Sequence, residues 1–580
     1  MMIIRRIFSF GWVMVWLSML LSIRAHSADQ YTYLYPPPGA VDVPQAATIL
    51  FRPLVSPHDI ANVSSCFQVI GSKSGKIAGR TFVGSDGATI IFQPQQEFKS
   101  DENVLVTIRL ETQNSQLTSF SFSFHILAEN KQSAPFATPD EQTMGSNPAP
   151  LSKATASRAR IMPNGVSVPS DFPHINVYVN TSPADGYIFL NNWRDENPYN
   201  IIFDNDGSPV WYERFADGDR RRDFKVQDNG IITMLTRHGG EWFLGYDQNF
   251  NLIDEFQPAG GYHNDEHELQ VLENGHYLII GRRNLEVDMG QVVDDGHPNA
   301  NVRETTVQEF TADHQLIFNW PALEHFNPAD MIGYCDPGQA DPTASSFRFP
   351  HMNAIDIDTD GHILLSSRHL SEVTKIHRQS GEILWRLGGA NNDFTFINDE
   401  LDGFYMQHDI RALGNGLYSV FDNGNLHNPP RSRAVIYKLD TDAKTATLLW
   451  EYRNPPGTEL SHYMGNAQQL PNGNMLINWA VGSRPKATEV TPEGEVVYEM
   501  NFAERYHTYR TFRFSWSGVV EQPRLFVEQG TNDVALIFNK FGDNNVAYYN
   551  IYGGTAPHPT TVIDTSNSTL KRQTAQRIGK

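Results

Sequence analysis

Six Asn-Gly or Asp-Gly pairs recur in similar surroundings along this chain: Asp185-Gly186, Asn229-Gly230, Asn274-Gly275, Asp360-Gly361, Asn415-Gly416 and Asn472-Gly473. Such pairs supply the positive φ angles of a tight two-residue turn between antiparallel strands. An apolar strand follows each one, at 187–190, 231–235, 277–280, 362–365, 417–421 and 474–477. A second motif, a polar turn leading into an aromatic-ended strand, also occurs six times, at 207–212, 249–256, 313–320, 380–387, 442–452 and 493–500. Two hairpins make a four-stranded unit, and six such units predict a six-bladed β-propeller. A large irregular β-sandwich is the competing architecture, but it does not explain two motifs each recurring six times. Inserts at 284–305 and 321–349 read as loops on one face, where binding sites concentrate.

The flanks read differently. Residues 29–128 carry short alternating strands (47–51, 81–83, 89–92, 104–110 and 120–126) separated by Pro/Gly turns, the spacing of an immunoglobulin-like β-sandwich. Residues 129–169 are rich in Ala, Ser, Pro, Asn and Thr and read as a linker. The propeller is expected over 170–504, with a small C-terminal β module and polar tail over 505–580. No stretch has helical periodicity, so the fold class is all-β. Residues 1–28 combine two arginines in the first six positions, an apolar core and small residues at Ala25, Ser27 and Ala28, which describes a cleaved signal peptide. An uncleaved anchor is the alternative, but an apolar run of about 17 residues sits at the short end of what spans a bilayer. The expected mature chain is exported, periplasmic or secreted, with no membrane association after cleavage. Three sequons, at Asn62, Asn180 and Asn567, matter only in a eukaryotic secretory route.

A net charge of −21 argues against a nucleic-acid or anionic-lipid surface, which needs clustered Lys and Arg. An anionic substrate must therefore meet a local positive site. Only two cysteines are present, Cys66 and Cys335, so no disulfide framework holds the fold. Sequence leaves their pairing open.

In a propeller the innermost strands line the axis, and their opening residues converge there. Reading back from the turns, those strands begin near Lys225, His267, His351, His408 and Asn466. Asn353 shares the face of His351 by period 2, and Arg368 ends the returning strand of the same hairpin. Arg and protonated His suit a tetrahedral oxyanion, Asn adds a neutral donor, and a neutral imidazole can attack sulfur or phosphorus. Other readings exist for these residues. His263-Asn264-Asp265-Glu266-His267 matches an inverted zinc-protease motif, but that chemistry needs a helix and the segment enters a strand. Three axial histidines can instead form a catalytic zinc site. Asp356, Asp358 and Asp360 resemble the start of a calcium loop, yet Ser367 stands where a bidentate Glu belongs.

The segment HMNAIDIDTDGHILLSSRHLSEVTKIHRQSGEILWRLGG (351–389) resembles the central signature of the arylsulfate sulfotransferase family. FYMQHDIRALGNGLYSVFDNG, DEHELQVLENGHYLI and MGNAQQLPNGNMLINWAVG resemble its neighbouring blocks, and together they cover most of 170–505. Trp516 and 549–553 are similar to the end of some members. The N-terminal β module and the linker stand outside the simplest family plan. The resemblance implies a six-bladed propeller that moves a sulfuryl group from an aryl sulfate to a phenol. It implies no nucleotide donor, metal or other cofactor, and a ping-pong route through a sulfohistidine. Carried over residue by residue, His408 is the nucleophile, and His267, His351, Asn353 and Arg368 bind the sulfuryl oxygens and stabilise charge. Either His267 or His351 then protonates the leaving oxygen. Asn466 joins the substrate-binding set on position alone. The partners expected are small aromatic sulfates and phenols. Two further readings stay open: a non-catalytic propeller binding glycan or protein, and a metal-dependent hydrolase or lyase built on the axial histidines.

Overall fold

The computed structural model describes residues 31–131 and 158–574, apart from 115, 194–197, 217, 220, 237–240, 454–459, 482–484, 504–505, 522–523, 530–532, 544 and 556–558. The signal peptide expected over 1–28, and most of the linker, lie outside the described residues. Within them the protein is all-β, and its helical segments are single 3-10 turns of three or four residues. No described helix is long and apolar enough to cross a membrane.

Near the N-terminus, two four-stranded antiparallel sheets face each other. One runs Tyr31–Tyr35, Ile49–Pro53, Ile90–Pro94, Gly79–Val83, and the other Gly75–Ile77, Phe67–Gly71, Asn103–Glu111, Leu117–His125. Lettered in chain order, with C′ after C, this is A-B-E-D against C′-C-F-G, the order used by immunoglobulin-type sandwiches. Strict alternation sets the register: Val104, Val106, Ile108 and Leu110 point inward, while Asn103, Leu105, Arg109 and Glu111 face water. Cys66 sits in this core, far from Cys335 in the core of another unit, and both thiols are free.

Residues 175–514 form six sheets, antiparallel except where Ser346–Phe349 and Thr395–Ile397 each add a parallel strand. Their inner strands are Arg222–Val226, His263–Val271, Met352–Ile357, His408–Gly414, Asn466–Gln469 and Thr511–Phe514. Each inner strand touches the next, and the last touches the first, so the sheets close into a ring around an axis. Both ends of this region pair across the closure. Ile175–Asn180 adds to the outer strand Val496–Phe502, and Thr511–Phe514 becomes the inner strand beside Tyr187–Asn192.

Four sequence expectations are corrected, the first two by this closure. Asp185-Gly186 does not join a hairpin, because the strands on either side of it pair with different sheets. The boundary at 504/505 cuts through the first sheet, whose inner strand comes from beyond it. Part of the expected linker is also structured. Arg160–Ile161 and Ser167–Val168 form a small ladder, held where Asn539 and the Tyr212 hydroxyl bond the Ser167 backbone at 2.7–2.8 Å. The insert at 284–305 is likewise mostly strand, a long arm made of Tyr277–Val287 and Ala300–Phe310. C-terminal residues add Arg524–Gln529, Asp533–Asn539 and Leu570–Thr574 as one sheet, and Tyr549–Tyr552 with Val562–Ser566 as another.

The sandwich packs against two neighbouring sheets. Tyr33 donates at 2.7 Å to the carbonyl of Asn319, in the strand Leu316–Pro321, and Arg52 at 2.8 Å to the carbonyl of Gln379, in the turn between Glu372–Ile376 and Ile383–Gly388.

Candidate active site

Entry into an inner strand demands an abrupt change of backbone direction. Asp223, His351, Asp409 and Met464 all take left-handed φ angles there, between 50° and 62°. A non-glycine residue held this way costs about 1–3 kcal/mol, and such positions cluster at functional sites. They set the starts of the inner strands, and with them the axial side chains.

His408 opens its strand and is 3% exposed. Its Nδ1 lies 2.7 Å from Asn423 Oδ1, and the Met464 backbone N–H donates to its Nε2 at 3.2 Å. Burial, with Arg368 next in weight, holds this imidazole well below its ordinary range, so the ring is neutral.

His351 and His267 meet at Nε2···Nε2 3.1 Å. Asp265 bonds His267 Nδ1 from the same strand, two residues away, where period 2 returns it to the same face. His351 is also held well below the ordinary range, by burial first and then by His369 and His267. Its Nδ1 is buried without a hydrogen-bond partner among the described residues.

Arg368 stands at the end of the returning strand, 3% exposed. It donates to Gln339 Oε1, to the His462 carbonyl at 2.9 Å, and to His369 Nε2 at 3.2 Å. His369 Nδ1 in turn donates to the Arg348 carbonyl at 2.9 Å, which leaves Nε2 as the acceptor for Arg368. Burial lowers the guanidinium pKa to about 10, and Arg368 keeps an Nε without a partner among the described residues. Among the described residues no carboxylate forms an ion pair with it. Asp336 acts on it only through space, and a buried cation without a direct ion pair can receive an anion.

The other two expected residues differ from each other. Asn353 is fully buried and donates to the Gln407 carbonyl at 2.7 Å, beside His408, while its Oδ1 has no partner among the described residues. Asn466 is occupied at both ends. Its Nδ2 donates to the Thr511 carbonyl and its Oδ1 accepts from the Thr511 N–H, each at 2.9 Å. It ties one inner strand to the next, so its assignment to substrate binding gives way to a structural role.

Sequence reading missed several participants: Asp265, His369, Asn423, Arg510 and Tyr509, whose hydroxyl donates to the His267 carbonyl at 2.9 Å. Period 2 from His267 was a signal for Asp265, and adjacency to Arg368 was one for His369. Tyr509 and Arg510 precede the sixth inner strand, which has no Asn-Gly turn to announce it.

Below the histidines lies a second layer. Glu268 is surrounded by Lys225 at 2.6 Å, Arg411 at 2.9 Å and Arg510 at 3.0 Å, with Asp223 and Asp409 completing the cluster. Lys225, read as one of the axial openers, belongs here. Beneath it a cavity of about 420 Å³ opens at the far end of the axis, lined by Gln227, Gln270, Asp356, Arg411 and Phe514 among others.

The metal motifs dissolve in this geometry. His263 and Glu266 sit on a strand, and Glu266 is engaged by Arg222 at 3.1 Å. Asp358 and Asp360 both bind Lys375 at 2.6 Å. Among the described residues no group of three His, Cys, Asp or Glu side chains is disposed to hold a metal ion.

Residues 176–513 match a protein family described as arylsulfotransferase (ASST). The arylsulfate sulfotransferase AssT of Escherichia coli is 23% identical over 335 residues, covering 45% of this chain and 54% of the relative. The enzyme of the same description from Lelliottia amnigena is 22% identical over the same length and shares. The chain thus spans about half the length of the curated relatives it matches. Among solved structures, a streptogramin B lyase is similar at a TM-score of 0.30 and 12% identity, covering 64% of this chain and 95% of that one.

Proposed function

Since the chain belongs to the arylsulfotransferase family, we propose that it transfers a sulfuryl group from an aryl sulfate to a phenolic acceptor, with His408 as the nucleophile. The observation that carries this reading is a neutral, buried imidazole beside a buried guanidinium that forms no ion pair among the described residues, at one end of the axis. Neutrality leaves His408 a lone pair for sulfur. The charge of Arg368, in no ion pair among the described residues, attracts a sulfate ester that the acidic chain otherwise repels.

In the first half-reaction His408 attacks sulfur, the nitrogen–sulfur bond forms, and the sulfur–oxygen bond to the aryl group breaks. The phenolate leaves with the bonding pair. Charge on the transferring group falls on Arg368, whose Nε is free to donate. The His267–His351 pair, oriented by Asp265, supplies a proton to the departing oxygen and recovers one from the incoming phenol. The acceptor oxygen then takes sulfur from His408, and the imidazole is restored. Met464 N–H must yield its 3.2 Å contact with Nε2 before attack, a step worth about 1 kcal/mol for a neutral hydrogen bond. The same proposal includes export, carried by the pattern of residues 1–28, and the domain division around a catalytic propeller.

The test is release of p-nitrophenol from p-nitrophenyl sulfate, with and without phenol, by the wild type and His408→Ala, both treated with chelator. Phenol-dependent release that survives chelation and vanishes in the variant supports the reading. Release that persists in His408→Ala refutes the nucleophile. Release independent of phenol makes the protein a sulfatase, and loss on chelation makes it a metalloenzyme.

A further inference from the structure

Asn423 directly follows the strand Leu417–Asp422 and is fully buried. Its carboxamide has one possible orientation. Nδ2 donates to the Ser461 carbonyl at 2.7 Å and to the Met464 carbonyl at 3.0 Å. Carbonyl oxygens only accept, so the amide nitrogen faces them and Oδ1 faces His408. That oxygen lies 2.7 Å from His408 Nδ1, which must therefore carry the hydrogen. On the other side of the ring, the Met464 N–H requires a lone pair at Nε2. Both ring nitrogens specify the same tautomer.

The neighbourhood is braced to hold this arrangement. The Asn423 carbonyl accepts from the Ser432 hydroxyl at 2.9 Å. Asp422, next in sequence, takes Arg433 Nε at 2.9 Å, His427 Nε2 at 2.7 Å and the Tyr405 N–H at 3.0 Å. Gly465 follows Met464 at φ 99°, and a Cβ there would lie 2.4 Å from the Phe421 ring, so the loop facing Nε2 admits no side chain at this point.

We propose that Asn423 is the positioning residue of this site: it fixes His408 as the Nδ1–H tautomer, makes Nε2 the sulfur-accepting atom, and stabilises the ring as it becomes cationic. The proposal rests on the reading of His408 as nucleophile. When the Nε2 lone pair forms the bond to sulfur, the aryl oxygen leaves with the sulfur–oxygen bonding pair. The ring keeps its Nδ1–H and becomes an N-sulfoimidazolium. Its N–H is then a stronger donor, so the bond to Asn423 strengthens along the reaction, which is the condition for lowering a barrier. A carboxylate in the same place would also orient the ring, but it would favour the protonated, non-nucleophilic imidazole before substrate arrives. A neutral acceptor orients without that penalty.

Two measurements test this. The wild type and His408→Ala, labelled with 15N-histidine, give a difference spectrum that isolates the His408 ring at neutral pH. A protonated Nδ1 and an unprotonated Nε2 are expected, and a proton on Nε2 overturns the proposal. Next, kcat and kcat/KM are followed against pH for Asn423→Ala and Asn423→Asp. Loss of the acceptor lowers kcat by about 10- to 100-fold, the scale of a misplaced reacting group, with KM little changed. Arg368, His267 and Arg510 act on the ring in all three proteins. The acid limb should therefore move to lower pH in the Ala variant and to higher pH in the Asp variant. Equal losses without opposite shifts indicate a merely structural residue and overturn the proposal. Should His408→Ala stay active, the nucleophile reading fails on its own, and the labelled spectra still decide the tautomer.

Discussion

Replacing Arg510 with Met probes whether the charge cluster on the axis holds the inner strands together. The Arg510 guanidinium reaches Asp223 at 2.8 Å, Glu268 at 3.0 Å and the Asn353 carbonyl at 2.9 Å, and it is 2% exposed. Methionine keeps much of the volume and removes the charge. Three carboxylates, Asp223, Glu268 and Asp409, are then left to Lys225 and Arg411. Breaking a buried charge network in this way costs about 3–5 kcal/mol. Unfolding entropy of about 2.1 cal/mol/K per residue gives ~0.7 kcal/mol/K for ~340 residues, so the apparent Tm should fall by about 4–7 °C. The pH dependence has a definite sign. Burial alone would raise the Glu268 carboxyl, but Arg411, Arg510 and Lys225 outweigh it and hold that group well below the usual range. A depressed carboxylate stabilises the fold above its unfolded pKa of about 4.3, and the contribution is lost as pH falls through the folded value. The deficit of Arg510→Met should thus be full at pH 7.5 and shrink below about pH 4.5. Thermal melts followed by circular dichroism at several pH values give the answer. A variant melting within about 1 °C of wild type at pH 7.5, or a deficit that grows in acid, would refute the reasoning.

Two further outcomes follow from the electrostatics of the site and core. With His408 held neutral by burial and Arg368, the acid limb of kcat/KM should lie below the ordinary imidazole value of about 6.5. Arg368→Gln removes a nearby positive charge, so the limb should rise while the rate falls by about 10²–10³, as on loss of a charge-stabilising donor; a limb that moves down contradicts this. Burial pushes the thiols of Cys66 and Cys335 up to about 12. Iodoacetamide at pH 8 should leave both unmodified in the native protein and label both in guanidinium, as read by intact mass. Rapid native labelling of either would show its surroundings to be open.

Much of the fold was legible because the repeat is written in turn chemistry. Where Asn-Gly or Asp-Gly joins two strands within one sheet, as at Asn274-Gly275 and Asn415-Gly416, the sequence names the hairpin directly. Asp185-Gly186 carries the same dipeptide and joins nothing, since ring closure hands its two neighbouring strands to different sheets. The dipeptide encodes backbone conformation alone, and partner choice is a property of the closed ring. That is also why the sixth inner strand stayed hidden. Thr511–Phe514 pairs with Tyr187–Asn192 across more than three hundred residues, a distance over which local pattern carries no signal.

The site divides along the same line. His351 and His408 were found because they stand at the start of inner strands and His267 because it lies within one, four residues past the start, and repetition places such residues on one axis. Asn466 occupies the equivalent position in its own strand and yet is consumed by the Thr511 peptide. Position thus selects which side chains reach the axis, and hydrogen-bond accounting selects which of them remain available. Asn353 and Asn466 are both asparagine, both fully buried and both axial, but only Asn353 keeps an unpartnered Oδ1 among the described residues. The same accounting separates the two arginines. Arg510 is neutralised by carboxylates and belongs to the scaffold, whereas Arg368 is held by an amide, a carbonyl and a neutral imidazole, none of which cancels its charge. A guanidinium oriented by neutral acceptors keeps its field for an incoming anion, and that distinction lies in the partners, which only the fold assembles.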